Sequence, residues 1–105
     1  MCGSLSTDAY LCAADPENTA TFYSVNHGSG SIEGEPPKGQ GDSAEAFVRR
    51  VESTYRIRLY KGKTTDVAKA DPRNFRNIEA AIRTGAQNHM FKPVCALAPL
   101  MSFKD

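Results

Sequence analysis

The residues best equipped for chemistry are basic and aromatic. Arg49, Arg50, Arg56, Arg58, Tyr60, Lys61, Lys63, Arg73 and Arg76 fall in one short stretch, interleaved with Tyr55. A guanidinium offers a fixed fork of donors that fits a carboxylate or a phosphate, and a neighbouring ring offers a stacking face. The set suits an acidic protein surface, and equally an RNA whose bases stack on the rings. These nine residues form the expected partner-binding set. No RNP-type motif accompanies them, which weighs against nucleic acid.

Catalytic patterns are sparse. His27 lies in a glycine-rich stretch and His89 follows a helical pattern, and neither has a nucleophile or carboxylate pair close in sequence. His89 and Cys95 make the one conceivable Cys–His pair. HGSGSIEG (27–34) has the glycines of a phosphate loop but lacks its GK[ST] ending and a strand before it. Cys2, Cys12 and Cys95 are odd in number and widely spaced, with no CxxC and no Cys/His metal spacing. They read as free thiols of an intracellular, reducing compartment. The expectation is a non-enzymatic protein with no metal site.

What must position the basic residues is a small body behind an unusual leader. The chain has 105 residues and a net charge of +1. That near-neutrality hides a split. Residues 1–42 carry six acids against one base, and residues 43–105 carry twelve bases against six acids. Six of the eight glycines also lie before residue 43. The expected organisation is an extended, acidic, glycine-rich arm (1–42), a basic α+β body (43–96) with a short sheet and one or two helices, and a hydrophobic docking tail (97–105). No run approaches the length of a membrane span, and the start lacks the features of a signal peptide.

Within the arm, Tyr10–Ala14 and Thr19–Val25 are the only segments suited to structure, the second as a strand. In the body, Asp42 or Ser43 caps a helix from about Ala44 to Thr54, whose stripe is Phe47, Val48, Val51 and Tyr55. TYRIRLYKG (54–62) fits either a strand or a helix end, with strand favoured; Tyr55, Ile57 and Leu59 would then face inward. Asp71 and Pro72 start a second helix with Phe75, Ile78 and Ile82 on its face, Arg83 in its last turn and Gly85 as its cap. Met90 to Cys95 make a short strand. The expected core is Phe47, Val48, Val51, Tyr55, Ile57, Leu59, Phe75, Ile78, Ile82, Met90 and Phe91. That is little for a self-sufficient domain and points to a subunit of something larger.

Read together, these segments resemble the small linker domain of phycobilisomes, the CpcD-like domain, over about residues 54–96. Tyr55, Arg56 and Ile57 match its opening strand, Thr64 and Thr65 the start of its second strand, and Pro72 that strand's end. Ile82, Arg83, Thr84 and Gly85 resemble its helix end, and Phe91, Lys92 and Pro93 its last strand. Asp66 and Asp71 depart from the family's apolar second strand, and Ala86 from its second glycine. The resemblance implies a structural linker of a light-harvesting antenna, bound among acidic pigment-carrying proteins in a plastid stroma or at a thylakoid. It implies no cofactor of its own, although linker-type chains leave room for a bilin on Cys12 or Cys95. A second resemblance, of LYKG and DPRNFRNIEAAIRTGAQNHM to LYR-motif accessory subunits, implies a respiratory complex; a ribosomal, RNA-contacting subunit is the related alternative.

Overall fold

The computed structural model describes residues 1–39, 41–62 and 67–104. In chain order they form β1 (Ala9–Ala14), α1 (Ala44–Tyr55), β2 (Arg58–Lys61), α2 (Ile78–Gln87), β3 (Phe91–Leu97) and β4 (Met101–Lys104). Short 3-10 turns occupy Val67–Ala70 and Pro72–Asn74. The fold is α+β: β1 pairs antiparallel with β3, and β2 pairs parallel with β4.

Helix α1 begins where Ser43 accepts a hydrogen bond from the Ala46 N–H. It ends at Arg56, in the left-handed conformation (φ 56°), whose N–H bonds to the Glu52 carbonyl. Phe47 and Val51, one helical turn apart, are buried. They pack with Ile57, Leu59 and Val67 in a first core, flanked by Leu5, Val48 and Tyr55. The ambiguous stretch therefore divides: Tyr55 closes the helix, and the strand begins at Arg58. Ile57 and Leu59 point inward, as their alternation predicts, while Tyr55 is half-buried at the helix end.

A second core joins Ile78, Ile82 and Phe91, flanked by Met1, Tyr10, Cys12 and Met90. The expected helix from Asp71 is two pieces. Asp71 caps only a 3-10 turn, closed by the Phe75 N–H on the Pro72 carbonyl at 3.2 Å. Phe75 is then extended, bridged to Ser31, and the Arg76 N–H bonds to Gly30. These contacts draw the chain out of helical geometry. Asn77 restarts it by accepting from the Ala80 N–H. Phe75 is consequently half-buried and belongs to neither core.

Gly85 is not the cap either. The helix continues to Gln87, with Asn88 as its cap, so Arg83 sits a turn earlier than expected. Gly85 is buried inside the helix, where a Cβ would collide with the Phe91 ring. Its missing side chain is what lets β3 start against α2.

Residues 1–42 do not project as one arm. Tyr10–Ala14 becomes part of β1, which covers α2 beside β3, with a bulge between Leu11 and Cys12. Thr19–Val25 forms turns, not a strand. The Asn18 side chain accepts from the Thr21 hydroxyl at 2.6 Å and donates to the Ser24 carbonyl at 3.2 Å, and Phe22 and Tyr23 take left-handed backbone. The expected docking tail is β4, paired with β2. Val67–Ala70, where the linker resemblance implies a second strand, is a 3-10 turn that buries Val67 and Ala70; Thr64 and Thr65 lie outside the described residues.

Gly85→Ala should destabilise the protein by about 1–3 kcal/mol, because displacing the Phe91 ring outweighs the roughly 1 kcal/mol gained in helix propensity. Chemical denaturation checks this, with Ala80→Gly as the comparison on the exposed side of the helix.

Candidate functional site: a basic docking surface

Four hydrogen bonds meet at Asp71, which has no exposed surface. Its carboxylate accepts from the Arg73 N–H and Nε at 3.0 Å, from Arg73 Nη2 at 2.7 Å and from Arg50 Nη2 at 2.9 Å. Arg50 also reaches Asp42 at 3.1 Å and lies over the Phe47 ring, 5.2 Å from its centre. Gly39 closes the site from the other side at φ +83°; a Cβ there would stand 3.0 Å from Asp71 Oδ2. Burial works to raise the Asp71 pKa. The bonds from the Arg73 side chain and backbone, then from Arg50, outweigh it and hold the carboxyl far below its ordinary range. The hydrogen bond to Asp71 raises Arg50 in turn.

This cluster divides the expected partner-binding set. Arg50 and Arg73 neutralise Asp71 inside the protein. Arg76 lies apart, beside Asn77 at the start of α2, and Lys63 lies outside the described residues. Lys61 is half-buried at the end of β2, its ammonium near the Gly62 carbonyl. Arg49, Arg56 and Arg58 remain together. They line a shallow groove with Arg50, Glu52, Ser53, Ile57 and Leu100. Glu52, its one acid, accepts the Leu59 N–H at 3.0 Å. Among the described residues, Arg49, Arg56 and Arg58 have no carboxylate partner.

The groove borders the outer face of the β2–β4 pair. Leu59 and Ser102 face inward; Ser102 donates to the Leu5 carbonyl. Arg58, Tyr60, Met101 and Phe103 therefore share the outer face. Tyr60 and Phe103 stack with centroids 5.2 Å apart and planes 15° from parallel. Phe103 is 73% exposed and Leu100, at the groove edge, 79%. Parallel strands are ordinarily covered on both faces, so this bare face is atypical. The apolar half of the surface was hard to see in sequence. Leu100, Met101 and Phe103 read as a tail, and only pairing with β2 brings them beside the arginines.

The cysteines are separate from this surface. Cys12 packs against the second core, and Cys2 and Cys95 are exposed. No helix among the described residues is long and apolar enough to cross a membrane. In comparisons with known proteins, the chain matches no family model, no curated protein and no solved structure.

Asp71→Asn keeps the turn cap but removes the charge. At neutral pH it should cost about 1–3 kcal/mol, the range for hydrogen bonds to charged groups. A depressed carboxylate stabilises above its unfolded pKa and loses that contribution as pH falls through its folded one. The gap between wild type and variant should therefore be constant above about pH 4 and narrow below it. Urea unfolding of both proteins across acid pH measures this.

Proposed function

We propose that this protein is a non-enzymatic structural linker or accessory subunit that docks onto acidic protein partners within a large assembly. The observation that carries the reading is the bare face of the parallel β2–β4 pair, with its stacked Tyr60 and Phe103, beside three arginines that have no carboxylate partner among the described residues. An apolar centre with a charged rim is the anatomy of a protein interface, and Tyr and Arg are its usual anchors. The arginines steer an acidic partner and fix register, while the rings and Leu100 supply buried area. A phycobilisome-type antenna, whose pigment proteins are acidic, is the assembly that the resemblance over residues 54–96 nominates. No cofactor is required by this role.

The double substitution Arg56→Glu/Arg58→Glu tests it. Both side chains are exposed, and the Arg56 cap uses only backbone, so the melting temperature should stay near that of wild type. Recovery of the tagged chain with its native assembly should fall at least about tenfold, since like charges now face the partner. Undiminished recovery would sink the electrostatic role. Co-purification with RNA in place of acidic protein would replace the reading with a nucleic-acid one. A colourless or haem-coloured assembly would remove the antenna.

A further inference from the structure

We propose that the aromatic turn at residues 15–24 of one copy docks into the arginine-lined groove of a second copy of this chain, so that copies join head to tail. The contact rests on the docking role of that groove and names what fills it. The turn presents two rings on a fixed backbone. Phe22 is 89% exposed and Tyr23 69%, and no other large apolar side chain among the described residues is as exposed as Phe22. Both residues are left-handed, at φ 53° and 59°. That conformation is costly away from glycine and persists only where the surroundings impose it.

Asn18 imposes it here. It is buried, and its side chain accepts from the Thr21 hydroxyl at 2.6 Å and donates to the Ser24 and Met90 carbonyls, both at 3.2 Å. Its backbone carbonyl accepts the Tyr23 N–H at 3.0 Å. The bond to Met90 fastens the turn to the residue before β3. Rings already held in place lose little freedom on binding, which is what an interface anchor requires.

Charge selects the occupant. The turn carries Asp15 and Glu17 against the single imidazole of His89, so it is negative whether or not His89 is protonated. The groove carries Arg49, Arg56 and Arg58, without carboxylate partners among the described residues, against Glu52. At about 700 Å3, with Ile57 and the exposed Leu100 on its apolar side, the groove has room for both rings. Guanidinium planes stack on such rings, and Glu17 would meet the arginine rim. Groove against groove would set arginine against arginine, and turn against turn carboxylate against carboxylate, so the pairing is heterologous. With a net charge of +1, copies repel one another little at long range. An anionic lipid surface, another receiver of exposed rings, would be repelled by the acids of the turn.

The test is sedimentation velocity of the full chain from about 1 μM to about 1 mM, in reducing buffer because Cys2 and Cys95 are exposed. The mean mass should rise with concentration through dimer to larger species, with Kd per contact on the order of 100 μM. Raising salt from about 0.05 to about 0.5 M should weaken association at least about tenfold. Phe22→Asn/Tyr23→Asn removes the rings, and Asn tolerates left-handed backbone, so this variant should melt no lower than the parent. Arg56→Glu/Arg58→Glu reverses the groove. Each variant alone should associate at least about tenfold more weakly than the parent. Mixed, they still hold one intact turn and one intact groove, and should form a 1:1 complex that grows no further. A parent that stays monomeric to about 1 mM, variants that associate as the parent does, or a mixture without the 1:1 complex would overturn the head-to-tail contact. In that event, loss of the native assembly by Arg56→Glu/Arg58→Glu would still uphold the groove as a docking surface for another acidic protein, whereas an undiminished assembly would remove that role as well.

Discussion

The fold depends on placing one carboxylate where water cannot reach it. Asp71 is fully buried, and an unpaired charge in that position would be prohibitive. Two arginines make it tolerable, one of them through its backbone N–H as well, and they belong to different parts of the chain. Arg50 comes from α1 and Arg73 from the turn that Asp71 itself caps. Satisfying Asp71 therefore fixes where α1 and the 71–74 turn lie relative to one another. Because the geometry of charged hydrogen bonds is directional, it specifies one arrangement in a way that a purely apolar contact would not.

Beside this cluster the fold has two cores, neither large. The first is closed by α1, β2 and the 67–70 turn, the second by α2 and the start of β3. Among the described residues each sheet has two strands. Isolated pairs of strands are marginal in water. Here they persist because a helix lies against one face: α1 against β2, and α2 against β3. The opposite face of the parallel pair carries the exposed rings.

The legible parts of the sequence were those decided by local forces. The stripe Phe47, Val48, Val51 and Tyr55, with Ser43 before it, marks α1 to within a residue. The alternation through Ile57 and Leu59 gives their facing correctly, and Met90 to Cys95 overlaps β3. What escaped depends on partners distant in the chain. Tyr10–Ala14 reads as part of a poor folder because its strand is stabilised by β3, far along the sequence. Asp71–Pro72 looks like the start of a long helix because nothing local reveals that Ser31 and Gly30 will pull Phe75 and Arg76 aside. Among nine basic and aromatic candidates, sequence could not separate Arg50 and Arg73, already committed to Asp71, from Arg49, Arg56 and Arg58. Likewise, only the folded chain brings Asp15 and Glu17 beside His89.

The pairing of β2 with β4 also sets an order of events. β2 must wait for its neighbour while both turns, α2 and β3 are made, because β4 follows them all in the chain. Contacts closed over such separations form late and slowly. Until then, Tyr60 has no Phe103 to stack on, and the edge of β2 is open to any other strand. During synthesis, the interval between β2 and β4 is when the nascent chain is most exposed to mispairing, and a chaperone or an early-arriving partner would have its greatest effect in that window.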